Sequence, residues 1–134
     1  MTAEQKWDLI CYRLENARKT LGEVDILVNS KLWNTAVNRL YYACFYAVSA
    51  LILQKDITAK THSGTIQMFG LHFLKTGMIK EETGRYYTDV FELRRKEDYE
   101  DFFDCEEADV LKLINPAHEL IEEIQSLLLK SHTS

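Results

Sequence analysis

The sequence predicts an all-α protein, built as an up-and-down antiparallel four-helix bundle with an extra short helix. Apolar residues recur every three or four positions along most of the chain, which is the period of a helix with one buried face. One proline and five glycines in 134 residues are too few turn-forming residues to separate many short strands. No repeat, linker or low-complexity tract divides the chain, so we expect a single domain over residues 1–134.

The first two predicted helices fill the N-terminal part of the chain. Apolar residues repeat with a helical period over residues 7–27, and Asn29 with Ser30 breaks that pattern. The second helix covers residues 32–54, with Ser30 as its N-cap. Its charge-free part, residues 40–53, is shorter than the roughly 20 apolar residues that cross a membrane, which predicts a buried helix.

A short helix and a fourth helix follow in the middle of the chain. Thr61 or Ser63 is placed to cap the short helix, and Gly77 suits the left-handed position that ends it. The next apolar-periodic segment predicts the fourth helix over residues 78–100.

The fifth predicted helix covers residues 105–129 and contains the only proline. Asp104, with Glu107 three residues later, resembles a capping box at its start. Pro116 is expected either to kink this helix or to start a new one with Asn115 as its cap.

The overall composition counts against several classes of function. A net charge of −5 gives no general attraction to a nucleic-acid backbone, so we expect no DNA partner. The three cysteines are widely spaced and fit neither a disulfide framework nor a metal site. The opening residues, MTAEQKWDLICY, lack the basic and apolar regions of a signal peptide. We therefore expect a cytoplasmic protein with no membrane partner, no metal and no cofactor.

One charged residue, Arg39, interrupts the second helix. On a helical projection it shares a face with Tyr42 and Tyr46, apart from the apolar stripe that faces the core. The remaining surface is apolar nearly all round, so the helix either lies at the centre of a bundle or packs against a second molecule. Arg39 either lies along the surface with its head at a carboxylate or solvent, or faces a functional cleft.

Two further residues are candidates for a phosphate site. Arg94 falls inside the apolar stripe of the fourth helix, so it is expected either to pair with a nearby acid or to face a cleft, because an unpaired buried charge is very costly. His62 lies at the predicted start of the short helix, where backbone N–H groups favour anions. It therefore either takes part in capping or contacts a phosphate.

Three blocks of sequence together resemble the HEPN domain family, in particular its small stand-alone prokaryotic members. These blocks are WNTAVNRLYYACFYAVSALIL, AKTHSGTIQMFGLHFLKTG and GRYYTDVFELRRKEDYED, and they occur in matching order over residues 31–101. The resemblance implies an all-α bundle that commonly dimerises. It also implies a frequent pairing with a minimal nucleotidyltransferase, and some such pairs act as toxin and antitoxin.

The same resemblance suggests where a catalytic site would lie. Ribonuclease members carry an arginine followed by a histidine, in the form R-x4-6-H, and cleave RNA without metal to leave a 2′,3′-cyclic phosphate. The motif arginine falls on Arg94, but Tyr99 occupies the partner position and Arg95 replaces the small polar residue. No histidine follows until His118. Because tyrosine, with a pKa near 10, is a poor acid–base at neutral pH, the departure argues against catalysis.

The sequence thus leads to two functional hypotheses. The first is a non-catalytic, homodimeric HEPN protein that partners a minimal nucleotidyltransferase, or binds a nucleotide or RNA phosphate, within a toxin–antitoxin-type system. Its predicted cleft contains Arg39, Tyr42, Arg94 and Tyr99, with His62 as a further candidate. The alternative is a metal-independent endoribonuclease toxin with a degenerate R-x4-Y motif, in which Arg94 and Tyr99 or His62 are catalytic.

Overall fold

The computed structural model describes residues 1–133, in which five α-helices follow one another. The helices are α1 (Ala3–Asn29), α2 (Trp33–Gln54), α3 (His62–Phe69), α4 (Glu81–Tyr99) and α5 (Glu107–Thr133), and a π-helical turn, Gly70–Leu74, continues α3. About 81% of the chain is helical, and the described residues contain no strand. The predicted all-α class is confirmed, while the up-and-down antiparallel order stays a prediction.

The turn between α1 and α2 differs from the prediction. Ser30 belongs to the end of α1, where its N–H donates to the carbonyl of Ile26 at 3.1 Å. Lys31 follows in the left-handed region, with φ 58°, and α2 starts after Leu32, which makes no side-chain cap. The prediction that Ser30 caps the second helix is wrong, because the chain reverses after Ser30 rather than before it.

Helix α2 lies at the centre of the protein and contacts α1, α3, α4 and α5. Eleven of its residues are buried, and they are spread around the helix: Ala36, Val37, Leu40, Tyr41, Ala43, Cys44, Ala47, Val48, Ala50, Leu51 and Ile52. Among the described residues, α2 alone is long and apolar enough to cross a membrane, yet 61% of that apolar window is buried inside the protein. The central position of α2 therefore accounts for its apolar surface. The homodimer stays a prediction, which rests on the resemblance to the HEPN family.

The segment after α2 brings α3 against the bundle. Thr61 caps α3 as predicted, because its side chain accepts a hydrogen bond from the backbone N–H of Gly64 at 2.9 Å. Gly77 has a φ of 78°, which is the left-handed geometry that the sequence predicted for this turn. At Gly84, in α4, the absence of a side chain makes room for Leu74, which lies against the α4 backbone.

Helix α5 begins two residues later than predicted and passes through Pro116 without a break. Asp104 does not cap it, because its carboxylate accepts a hydrogen bond from the Asn34 side chain at 3.0 Å instead. The Asp109 carboxylate serves the helix start and accepts from the backbone N–H of Glu106 at 2.9 Å. Of the two alternatives for Pro116, a new helix capped by Asn115 is wrong.

Candidate functional site

Aromatic side chains of α2 form the base of the candidate site. Tyr41 is fully buried, whereas Tyr42 and Phe45, one and four positions further along, are only partly buried. A spacing of one and four residues spreads these three rings over one side of the helix. Tyr41 also stacks against Tyr87 of α4, with ring centroids 6.1 Å apart and planes 1° from parallel. This packing fixes the ring of Tyr41, so that neighbouring groups meet a rigid aromatic surface.

Arg94 of α4 packs against this aromatic surface. Its guanidinium carbon lies 5.1 Å from the ring centroid of Tyr41 and 5.0 Å from that of Tyr42. At these distances both rings stabilise the cation through their π faces. Its Nη2 also forms an ion pair with Asp98 Oδ2, 3.1 Å away and one helical turn later. Arg94 is therefore paired with an acid, which is one of the two alternatives that its position in an apolar stripe predicted, and it is also held over aromatic rings.

The guanidinium of Arg94 is not fully hydrogen-bonded. Its side chain is only 17% exposed, and its Nε is buried without an acceptor among the residues that the structure describes. A buried donor without a partner costs roughly 1–3 kcal/mol. The Nε–H therefore has no hydrogen-bond partner, and because the surrounding atoms cover it, an acceptor can reach it only if the side chain moves.

His62 reaches the same aromatic surface from the first position of α3. Its ring centroid lies 4.7 Å from that of Phe45 and 5.8 Å from that of Tyr42. Its Nδ1 lies 2.5 Å from the hydroxyl oxygen of Tyr41. Either Tyr41 donates and His62 keeps its proton on Nε2, or Nδ1–H donates and Nε2 presents a lone pair. The tautomer of His62 and the direction of this hydrogen bond are therefore linked. We call Tyr41, Tyr42, His62 and Arg94 the Arg94 cluster.

The pKa values within this cluster are shifted by burial and by charge. Partial burial, reinforced by the positive charge of Arg94, lowers the pKa of His62 below its ordinary value of 6.5. Burial raises the pKa of Tyr41 to about 12. Beside the cluster, burial and the neighbouring Asp98 raise the pKa of Glu97. At neutral pH, His62 and Tyr41 are therefore uncharged and Arg94 supplies the positive charge of the cluster.

Arg39, the first arginine that the sequence singled out, lies apart from this cluster. Its Nε pairs with Glu23 Oε2 of α1 at 3.2 Å, and its Nη2 lies 3.4 Å from the hydroxyl of Thr20. No described contact joins Arg39 to Arg94 or Tyr42. The structure thus does not bring the two arginines into one cleft, and Arg39 matches the alternative in which its head meets a carboxylate.

Tyr99 also lies apart from the Arg94 cluster. It is the last residue of α4, and its side chain is 79% exposed. Arg95, next to Arg94, points to the surface and pairs with Glu92 at 2.9 Å. Of the predicted site residues, the structure brings together Tyr42, His62 and Arg94, and it leaves Arg39 and Tyr99 outside.

Neither the groove between α4 and α5 nor a metal-binding cluster of described residues coincides with this site. A groove of about 690 Å³ lies between α4 and α5, and five of its twelve lining residues are acidic, namely Glu82, Asp89, Glu119, Glu122 and Glu123. Within residues 1–133, no three His, Cys, Asp or Glu side chains are grouped so as to hold a metal ion. The Arg94 cluster therefore offers one cation, which is already paired with the Asp98 carboxylate, one neutral imidazole and aromatic faces.

The sequence reasoning missed Tyr41 and Phe45 as parts of the site. It assigned both to the apolar surface of α2, because a projection of one helix does not tell which neighbouring helix each face meets. The ion pair of Arg94 with Asp98 could have been predicted, because a spacing of four residues places the two side chains next to each other on a helix. The contact between His62 and Tyr41 had no local signal, because 21 residues separate them.

The fold and the Arg94 cluster together define a class of small all-α protein in which an arginine packs on aromatic side chains of a central helix. The family follows from comparison with known proteins, because residues 11–127 match the HEPN domain family. The chain therefore belongs to the HEPN family, as the resemblance indicated. This match covers every residue of the Arg94 cluster.

Relatives cover most of the chain. A Thermotoga maritima protein named "UPF0332 protein" is 36% identical over 124 residues, which span 92% of this chain and 94% of that protein. A Methanocaldococcus jannaschii protein named "Putative toxin MJ0142" is 31% identical over 89% of this chain and 81% of its own length. A second protein of that organism, "Putative toxin MJ0605", is 44% identical over 64% of each chain.

Proposed function

We propose that this HEPN protein binds a nucleotide or an RNA phosphate at the Arg94 cluster, as the homodimeric partner subunit of a minimal nucleotidyltransferase. The observation that carries the proposal is the placement of Arg94, with its guanidinium held over Tyr41 and Tyr42 and its Nε without an acceptor. A toxin–antitoxin-type system is the biological setting proposed, on the names of the two Methanocaldococcus jannaschii relatives.

The cluster has the groups that a nucleotide or single-stranded RNA needs. A guanidinium offers forked N–H donors that match phosphate oxygens. Tyr42 and Phe45 are partly exposed beside it and offer ring faces on which a base can stack. His62 is the first residue of α3, so backbone N–H groups of that helix start add to the attraction for an anion. Phosphate and base can therefore be bound side by side.

A binding role fits the cluster better than the R-x4-Y motif does as a catalytic pair. Tyr99 is exposed at the end of α4 and makes no contact with Arg94 in the described part of the chain. The group that accompanies Arg94 is instead His62, which comes from another helix. The tyrosine of the motif thus provides no acid or base beside Arg94.

Metal-independent RNA cleavage is the second function proposed, and the position of His62 is the observation that favours it. A neutral imidazole accepts a proton near pH 7, and the lowered pKa of His62 keeps it neutral there. In such a reaction His62 would accept the 2′-hydroxyl proton while the 2′-oxygen bonds to phosphorus, and the bond from phosphorus to the 5′-oxygen would break as that oxygen takes a proton from water. Arg94 would stabilise the negative charge that builds up on the phosphate.

Calorimetric titration with adenosine 5′-monophosphate, adenosine triphosphate and a short 5′-phosphorylated single-stranded RNA tests the binding proposal. We expect saturable binding that Arg94→Ala abolishes and Arg94→Lys weakens, because lysine keeps the charge but loses the fork. Arg95→Ala is the matched control, since it removes the same charge from an exposed neighbour. Binding that survives Arg94→Ala, or no binding by the dimer alone or with its nucleotidyltransferase, would contradict the proposal.

Separate assays test catalysis and the homodimer. For cleavage, labelled RNA is incubated with protein and a chelator, and the 3′ ends are analysed for 2′,3′-cyclic phosphate. If the wild-type protein cuts RNA, His62→Ala should abolish the cutting. RNA left intact by the wild-type protein would exclude this second function. Light scattering at tens of micromolar tests the homodimer, and a monomer there would contradict it.

A further inference from the structure

The hydrogen bond between Tyr41 and His62 determines which ring nitrogen of His62 carries a proton. His62 Nδ1 lies 2.5 Å from the hydroxyl oxygen of Tyr41, a side chain that is fully buried. A neutral imidazole has a proton on only one nitrogen, so an Nδ1 that accepts from Tyr41 requires the proton to be on Nε2. If Nδ1–H donates instead, Nε2 has a lone pair. The direction of this one hydrogen bond therefore sets the chemistry of Nε2.

The surroundings of Tyr41 favour its hydroxyl as the donor. Its ring packs against other aromatic rings, and the nearby guanidinium of Arg94 has donors only, so neither accepts the hydroxyl hydrogen. The hydroxyl of Tyr87 is itself buried without a hydrogen-bond partner among the described residues. Donation from Tyr41 to Nδ1 thus leaves one buried hydroxyl fewer without an acceptor than the reverse direction does, which favours it by a factor of roughly 5 to 150.

The other ring nitrogen, Nε2, is accessible and lies in the same site as Arg94. No described residue forms a hydrogen bond with Nε2, and this atom is not among the buried polar atoms without a partner, so solvent reaches it. The ring centroid of His62 is 5.5 and 5.8 Å from those of Tyr41 and Tyr42. The guanidinium carbon of Arg94 is 5.1 and 5.0 Å from the same two centroids. An anion bound to Arg94 is thus also a neighbour of the imidazole.

We propose that the Tyr41 hydroxyl fixes His62 in the tautomer with its proton on Nε2, so that Nε2–H donates a hydrogen bond to a phosphate oxygen held by Arg94. Tyr41 is then a positioning residue, which acts on the ligand through His62. The inference rests on the phosphate-binding function proposed above and names the second donor of that site. It opposes RNA cleavage by His62, because an Nε2 that carries a proton cannot accept one from a 2′-hydroxyl.

Long-range ¹H–¹⁵N NMR spectra of the histidine rings test the tautomer directly. They are recorded at about pH 8, above the ordinary imidazole pKa. In the wild type we expect the His62 signals of a protonated Nε2 and an unprotonated Nδ1. Tyr41→Phe keeps the ring beneath Arg94 and removes the hydroxyl, so the two nitrogen signals should move towards each other as both tautomers become populated. Tyr46→Phe is the matched control, because it removes a hydroxyl from the same helix that makes no described contact with His62.

A calorimetric titration with adenosine 5′-monophosphate tests the contact between Nε2–H and phosphate. We expect Tyr41→Phe to bind this nucleotide more weakly than the wild type by roughly 2- to 13-fold, which is the contribution of one hydrogen bond. His62→Ala should weaken binding by at least as much, and it provides a second variant if Tyr41→Phe folds poorly.

The possible outcomes separate this inference from the function on which it rests. A proton on Nδ1 in the wild type, or signals unchanged by Tyr41→Phe, overturns the role of Tyr41. Equal nucleotide affinity of the wild type and His62→Ala overturns the role of Nε2–H. In each of these cases, binding that still depends on Arg94 leaves the proposed function standing. Absence of nucleotide binding by the wild type, alone or with its nucleotidyltransferase, overturns both.

Discussion

Replacing Gly84 with alanine should weaken the packing that positions His62 beside Arg94. Gly84 lies in α4 against Leu74 of the π-helical turn that continues α3. An added Cβ would lie 2.2 and 2.4 Å from the two Leu74 methyl carbons and 2.8 Å from its Cγ. Ordinary contact begins at 3.4 Å. Because the Cγ itself is too close, turning the methyl groups does not remove the overlap, so Leu74 must change its χ1 rotamer or the segment that carries it must move.

The destabilisation from overpacking at Gly84 can be separated from the stabilisation that alanine brings inside a helix. Overpacking of this kind destabilises a protein by about 1–3 kcal/mol. Alanine in place of glycine inside a helix contributes roughly 1 kcal/mol of stability, which offsets part of that cost at Gly84. Gly22→Ala in α1 is the matched control, since no atom lies within 4 Å of its added Cβ. The difference between the two variants should therefore equal the overpacking cost of about 1–3 kcal/mol.

Urea denaturation followed by circular dichroism measures that difference. We expect Gly22→Ala to unfold at higher urea than wild type and Gly84→Ala to unfold at lower urea than Gly22→Ala. In the folded Gly84→Ala protein, the NMR signals of His62 should also shift, because α3 carries this residue. Equal stability of the two variants would refute the close packing of Leu74 on α4.

Three further predictions concern charge and backbone strain. An NMR titration should give His62 a pKa below 6.5, and Arg94→Ala should raise that pKa because the neighbouring positive charge is lost. Glu97→Gln should raise the urea midpoint at neutral pH, because a raised carboxyl pKa contributes stability only at low pH and that stability is lost as pH rises. Phe102→Gly should stabilise the protein by about 1 kcal/mol, because Phe102 is fully exposed and has a φ of 63°.

Each of these predictions has an outcome that would contradict it. An unchanged pKa of His62 in Arg94→Ala would show that the arginine does not act on the imidazole. A gain from Glu97→Gln that is as large near pH 4.5 as at neutral pH would contradict the raised pKa of Glu97. A loss of stability in Phe102→Gly would mean that the phenyl ring makes contacts that outweigh the strain of its left-handed backbone.

The helices were predictable from apolar periodicity, but several of their ends were not. Thr61 and Gly77 were identified correctly because each acts through local geometry, as a cap and as a left-handed residue. Ser30 and Asp104 were not, because their roles depend on where the chain reverses and on a contact with Asn34. A capping residue is recognisable from sequence only when nothing distant competes for its side chain.

The candidate site was predictable only in part, for the same physical reason. Arg94 stood out because a charge inside an apolar stripe needs a partner, and the ion pair with Asp98 follows from four-residue spacing. The grouping of Arg94 with His62 and Tyr41 depends on how α3 and α4 pack against α2. Arg39 shares a helix with Tyr42, but its ion-pair partner Glu23 lies on α1. The sequence of α2 alone could not predict this partner, because the pairing depends on how the two helices pack.

The most direct test of the phosphate-binding account is an NMR titration of His62 with adenosine 5′-monophosphate. In wild-type protein, the ring signals of His62 should shift saturably, and the same titration of Arg95→Ala should give the same result. In Arg94→Ala the shifts should disappear, because the group that binds the phosphate is gone. Unchanged His62 signals in the wild type, or equal shifts in Arg94→Ala, would contradict binding at the Arg94 cluster.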